Sequence, residues 1–220
     1  MLKEELHEMW RLVLSQLEKS KQAFLTSDEE LAREVVSREK RVDAFELKID
    51  SDGENYIALY SPVAIDLRLV LSIIKISYTL ERIGDFARGI ARHVIEDECM
   101  LMDNALLEEL QIETMFDVVI SMLTDSFVAL ESENTKISGK ILAKDDQVDE
   151  LYYKSMYILA NYIQNNPAQA LGGLQTMLLI RKLERIGDHC SNIVEEIVFY
   201  VDAKVLKHKG NKKVYSVEDS

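Results

Sequence analysis

The sequence predicts an all-α protein of two tandem three-helix bundles, six long helices related by an internal duplication. Three observations predict it. Turn breakers are scarce, with 8 glycines and 2 prolines in 220 residues, which leaves room for few and long elements. Good helix formers such as Leu, Glu, Lys, Ala and Met are frequent. The string Leu-Glu-Arg-Ile-Gly-Asp occurs twice, at 80–85 and at 183–188.

The first helix is expected from Leu2 to Leu25, with Leu6, Met9, Trp10, Val13, Leu17 and Phe24 near the 3.6-residue period. Ser27 with Glu30 reads as a capping box opening the second helix. That helix places Leu31, Val35, Val42, Phe45 and Ile49 on one face and runs to Leu59. Asp50-Ser51-Asp52-Gly53-Glu54 resembles the start of a calcium loop, but Ser61 stands where the loop needs a bidentate glutamate. A helix passing through Gly53 is the better reading. Ser61-Pro62 reads as an N-cap followed by proline in the first turn. It opens a third helix to Glu98. The fourth helix is expected over Asn104–Ser132 and the fifth over Thr135–Gln164. Asn166-Pro167 then opens a sixth to Lys207, and the tail 209–220 is polar and frayed.

Glu81 and Glu184 are 103 residues apart, as are Asp85 and Asp188, while Pro62 and Pro167 are 105 apart and Asp43 and Asp149 106 apart. A short gap in one connection accounts for the drift. Two units follow, 1–102 and 103–208, each an up-down-up bundle, joined end to end.

A net charge of −13 repels polyphosphate backbones and argues against nucleic-acid binding. Two cysteines, Cys99 and Cys190, make no disulfide framework and no CxxC site. Cys190 reads as a small buried hydrophobe. The charged segment Met1–Trp10 is unlike a secretory signal. No apolar run approaches the ~20 residues of a membrane span. A cytoplasmic chain is expected.

Chemistry concentrates on acidic pairs. Glu81 and Asp85 are i and i+4, so their side chains stack about 6 Å apart on one helix face. Gly84 sits between them, where glycine costs about 1 kcal/mol against alanine. Stability alone would not select that combination, and it recurs at Glu184, Gly187 and Asp188. A bound cation would turn the repulsion into attraction. On the preceding helices Glu39 and Asp43, and then Asp145 and Asp149, have the same spacing and are expected to face the two motifs. Such all-oxygen sites favour Mg²⁺, Mn²⁺ or oxidised iron over a soft metal. The competing reading pairs these acids with Arg82, Arg88, Arg92, Arg181 and Arg185 in solvated salt bridges. Asn192, at i+4 from Asp188, could join the second site, whereas His189 reads as a neighbour rather than a ligand. Tyr152, Tyr153, Tyr157 and Tyr162 read as core and rim residues.

The segment Tyr60-Ser61-Pro62-Val63-Ala64-Ile65-Asp66-Leu67-Arg68, the two LERIGD strings and Asn192-Ile193 together resemble the PhoU family, from about Leu6 to Tyr200. Its hallmark is a duplicated E(D)xxxD motif on paired three-helix bundles. The resemblance implies a regulator of phosphate uptake and of the phosphate-starvation response, without catalytic activity. Its implied partners are a Pst-type ABC transporter ATPase and a PhoR-like histidine kinase. It implies a homodimer, peripheral to the membrane at most. It also implies divalent or trivalent metal ions (Mg, Mn, Fe or Zn) on Glu81, Asp85, Glu184 and Asp188, with Asp43 and Asp149 facing them. Two departures imply unequal sites: Gly89 stands where the second copy has Asn192, and Glu46 where it has Tyr152.

Two other functions compete. A di-iron carboxylate enzyme would need paired Glu-x-x-His motifs, and only Glu4–His7 fits. A metal-free helical adaptor would leave the acids salt-bridged.

Overall fold

A computed structural model describes residues 2–96 and 104–204 of the chain. The expected ends of the third and sixth helices, the boundary at 102/103, Cys99 and the tail 209–220 lie outside the described residues. Among the described residues every regular element is helical. The α-helices are α1 (Leu2–Thr26), α2 (Glu29–Ser37), α3 (Glu39–Tyr60), α4 (Ile65–Glu96), α5 (Asn104–Glu109), α6 (Ile112–Glu131), α7 (Ser138–Asn165) and α8 (Ala170–Asp202). Single 3₁₀ turns, Thr135–Ile137 and Pro167–Gln169, lead into α7 and α8.

The expected second helix is two helices. Ser37 donates its hydroxyl to the Glu34 carbonyl at 2.7 Å, and the Arg38 N–H reaches back only three residues, to Val35. The ladder tightens there and the axis turns. The turn lets Ala32 and Val35 of α2 bury against Ala23 and Ala91. The expected fourth helix is likewise broken, at Gln111, which takes a left-handed backbone with φ 53°. Neither break has a glycine or proline to announce it.

Two expected start signals are stop signals instead. Ser27 and Ser61 have φ of 53° and 44° and end α1 and α3 in the left-handed conformation usual after a helix C-terminus. The N-cap of α2 is Asp28, whose carboxylate accepts the Leu31 N–H at 2.9 Å. Pro62 lies in the connection, and α4 starts at Ile65. Pro167 does occupy a first-turn position. Helix α3 passes through Gly53, whose missing side chain makes room for Ile74 of α4.

The two repeats lie side by side rather than end to end. Helices α4 and α8 run antiparallel along each other. Arg68 Nε donates to the Tyr200 carbonyl, Ser72 Oγ to the Glu196 carbonyl, and a His93 ring nitrogen meets the Gln175 carbonyl at 2.9 Å. Helix α1 meets α6 in the same antiparallel sense, through Trp10 and Phe127, Phe24 and Phe116, and the ion pairs of Lys3 with Glu133 and Lys21 with Asp117. One apolar cluster runs through both repeats. End-to-end bundles would take from Trp10 of α1 its contacts with Leu123 and Phe127 of α6. Side-by-side packing leaves Trp10 1% exposed, at roughly 25 cal/mol gained per Å² of apolar surface. Of the four tyrosines of α7, Tyr152 and Tyr162 pack against this core, whereas Tyr153 and Tyr157 are exposed. Cys190 is a buried free thiol, its pKa pushed up by burial. No helix of the described residues is long and apolar enough to cross a membrane.

Candidate functional site

The motifs Glu81/Asp85 and Glu184/Asp188 lie in the middle turns of α4 and α8, the two longest helices. The inward sides of these turns are fixed by Leu80 and Ile83, and by Leu183 and Ile186, all fully buried. That register leaves both glutamates at the rim of the core. Their side chains keep 24% and 17% of their exposure.

Burial pushes Glu81 up to about 7, the neighbouring Asp85 adds to the rise, Arg82 opposes it, and Glu46 and Asp43 add again. Glu184 also rises to about 7, through burial first and then Asp188, against Arg185, with a further push from Asp149. The structure therefore brings Asp43 within electrostatic reach of Glu81, and Asp149 within reach of Glu184. Two half-buried glutamates with the same perturbation, on equivalent turns of a duplicated fold, make the two motifs the candidate functional site.

The remaining expected residues are placed differently. Glu39 pairs with Arg88 of α4, whose Nη2 also binds Asp85 Oδ1 at 2.9 Å. Asp145, 7% exposed, accepts the Ser191 hydroxyl at 2.7 Å. Asn192 faces the other repeat. It lines a cleft of about 520 Å³ between α3, α4 and α8, together with Glu46, Tyr78, Thr79, Glu81, Arg82 and His189. His189 is half-buried in this cleft against the Phe86 ring at 5.6 Å, and burial lowers its pKa. Gly89, the counterpart of Asn192, makes room for Lys182 at the α4–α8 contact. The exposed Arg185 binds Asp188 at 3.2 Å. Among the described residues no three His, Cys, Asp or Glu side chains converge as a ready-made metal cage. Each motif instead presents a partly exposed acidic face, with an arginine already on its aspartate.

The residue missed by sequence reasoning is Gln16. It is 1% exposed on α1, and its Oε1 lies 3.4 Å from where a Gly84 Cβ would stand. In the second repeat Asp145 Oδ1 occupies the corresponding place, 2.8 Å from a Gly187 Cβ. The motif glycines thus admit a side-chain oxygen from a neighbouring helix. The signal was weak, a single glutamine within the apolar stripe of α1. The two glycines should respond differently. Gly84→Ala makes ordinary contacts and recovers helix propensity, so it should be neutral or stabilising by up to about 1 kcal/mol. Gly187→Ala must shift the buried Asp145 carboxylate, which accepts the Ser191 hydroxyl, and should cost about 1–3 kcal/mol. Urea unfolding of the two variants checks this, and equal effects would contradict it.

Comparison with known proteins shows the family of the fold. Residues 6–94 and 112–197 each match the PhoU domain. The phosphate-specific transport system accessory protein PhoU homolog of Aquifex aeolicus is 32% identical over 96% of this chain and 94% of its own. The PhoU protein of Escherichia coli K12, named in the same words, is 32% identical over 94% of this chain and 84% of its own. The crystal structure of PhoU from Pseudomonas aeruginosa superposes with a TM-score of 0.83 at 28% identity, covering 92% of this chain and 96% of that one. The PhoU phosphate transport regulatory protein of Streptococcus pneumoniae superposes at 0.81, also at 28% identity, covering 94% and 96%. With two domain matches spanning most of its length and relatives above 30% identity, the chain belongs to the PhoU family of phosphate transport accessory proteins.

Proposed function

We propose that this protein is a metal-bearing docking module that damps phosphate uptake and phosphate-starvation signalling when phosphate is plentiful. It would act in the cytoplasm, as a homodimer peripheral to the membrane at most, on a Pst-type transporter ATPase and a PhoR-like histidine kinase. The observation that carries the reading is the pair of open acidic faces, each with a glutamate raised to about 7. The donor set fits a hard cation. It is all oxygen, it comes from two helices per repeat, and its carboxylates disfavour one another's ionisation until a positive charge arrives. Glu81, Asp85 and Asp43 would hold one ion and Glu184, Asp188 and Asp149 the other, with Glu39 and Asp145 behind them on the facing helices and Asn192 in the cleft beside Glu81. An open face also leaves coordination positions for water, phosphate or a carboxylate of a partner.

The metal-free adaptor reading has a specific observation in its favour, the arginine contacts at each motif. The di-iron reading has none. His7 of the one Glu-x-x-His pair meets Glu131 at 2.6 Å in the α1–α6 seam. Two measurements test the proposal. Deleting the gene should raise alkaline phosphatase expression in phosphate-rich medium, and unchanged expression and uptake would sink the regulatory role. Restoring the chain with Glu81, Asp85, Glu184 and Asp188 all changed to Ala should leave that defect in place and abolish metal in the purified protein. Full complementation by a metal-free variant would favour the adaptor.

A further inference from the structure

The glutamates of the two repeats sit in like environments, but the turn after each aspartate does not. Three residues beyond Asp85 stands Arg88, and three beyond Asp188 stands Ser191. Arg88 Nη2 binds Asp85 Oδ1 at 2.9 Å and Nη1 pairs with Glu39 at the start of α3. Its side chain is 22% exposed and clamped between α3 and α4, with Nε buried and carrying no hydrogen bond. In the second repeat the same space is settled without a cation: Ser191 donates to Asp145, the counterpart of Glu39.

We propose that Arg88 is a built-in cation that competes with a metal ion for the first repeat's carboxylates, so that the second repeat holds the tight site and the first a weak, displaceable one. This rests on the metal-binding reading above. A guanidinium that is doubly ion-paired and partly shielded from water keeps its full charge at any physiological pH. A metal ion arriving at Glu81 and Asp85 must either accept that positive neighbour or detach it from two carboxylates at once. The first course is repulsive in a region of reduced dielectric. The second strands a half-buried charge. Arg185 and Arg181 of the second repeat impose no such cost, because both are exposed and can swing into solvent, where their attraction to the site is screened. Arg82, the counterpart of Arg185, is exposed in the same way. Glu46, where the second repeat has Tyr152, adds one more carboxylate near Glu81, but Arg88 is the doubly ion-paired cation that the first face holds and that Ser191 replaces in the second. A weak first site next to the inter-repeat cleft would load only when metal is abundant or when a partner supplies the missing ligand.

Mn²⁺ titration, followed by the electron paramagnetic resonance signal of the free ion, tests this on full-length chains with one motif each. Glu184→Ala with Asp188→Ala leaves the first site, and Glu81→Ala with Asp85→Ala leaves the second. The second site alone should bind Mn²⁺ at least tenfold more tightly than the first alone. Arg88→Ser should raise the first site's affinity at least tenfold, whereas Arg88→Lys, which keeps the charge, should leave it weak. Ser191→Arg should lower the second site's affinity by a similar factor, which gives a result even if Arg88→Ser fails to fold. Equal affinities that neither exchange alters would overturn the competing role of Arg88 and leave the metal-binding reading standing. No Mn²⁺ on any chain would overturn both.

Discussion

Replacing Trp10 with Ala should destabilise the chain by about 3–5 kcal/mol, the range for truncating a buried aromatic residue. Against the 5–15 kcal/mol typical of whole domains, that is enough to leave a sizeable unfolded population on mild heating. Trp10 is the single tryptophan of the chain and is 1% exposed. Its indole N–H donates to the Leu123 carbonyl at 3.2 Å, and its ring lies 5.5 Å from that of Phe127. Both contacts are on α6, in the other repeat. The side chain therefore belongs to the seam that turns two bundles into one body, and removing it opens a cavity there that the long helices cannot easily close.

Two controls separate the seam from bulk hydrophobicity. Trp10→Phe keeps an aromatic ring against Phe127 but lacks the N–H, and should recover all but about 1–2 kcal/mol. Leu25→Ala, on the same helix but 43% exposed, should cost under about 1 kcal/mol. Urea unfolding followed by circular dichroism measures all three. In the wild-type chain Trp10 fluorescence should report the seam directly, and its transition should coincide with the loss of helix. A fluorescence change well ahead of helix loss would mean that the repeats separate before they unfold.

Much of this fold is legible in the sequence because the apolar spacing is long and regular. The stripes of α1, α4 and α8 are each two dozen residues or more, and the repeated LERIGD string aligns two of them. What is not legible concerns helix ends and the partner of each face. The breaks at Arg38 and Gln111 use residues with no special turn chemistry, and tertiary burial of Ala32 and Val35 favours the first of them. Ser27 and Ser61 look like helix starts, but a serine can also end a helix in the left-handed region, and Pro62 beside Ser61 does not discriminate. Periodicity shows which face is apolar but not which helix covers it. The side-by-side packing was therefore hidden, although Trp10 in the middle of the α1 stripe needed a partner for its N–H. At the site, spacing picked out the motif pairs as candidates and placed Asp43 and Asp149 on the facing helices, within electrostatic reach of the motif glutamates. It could not show that Arg88 is already bound to Asp85 and Glu39 or that Asn192 turns to the other repeat, because both depend on how α3 and α8 are rotated against α4.

Metal-free protein should lose stability as the pH rises from about 5 to 8, and Glu81→Gln with Glu184→Gln should abolish most of that loss. The sign follows from linkage. Both glutamates have a folded-state pKa near 7, raised by burial and by the adjacent aspartates from an ordinary value of 4.5. Between those values the unfolded chain has released these protons while the native chain still holds them. The native state binds more protons, so stability falls with rising pH across the window and levels off above it. A shift of this size is worth on the order of 3 kcal/mol per group as an upper figure, and residual exposure of both side chains reduces it to about 1–2. Glutamine cannot ionise, so the double variant should exceed the wild type by a few kcal/mol at pH 8 and nearly match it at pH 4. A protein selected for stability alone would carry the glutamines. Adding Mn²⁺ at pH 8 should restore the wild type, because a ligand that binds only the native state stabilises it by mass action, and should do little for the variant. Thermal melts at pH 5 and pH 8, with and without the ion, give all the comparisons. A variant less stable than the wild type at pH 8 would show that the glutamates are held by attraction rather than kept in place against mutual repulsion, and the acidic faces would then be structural salt-bridge surfaces.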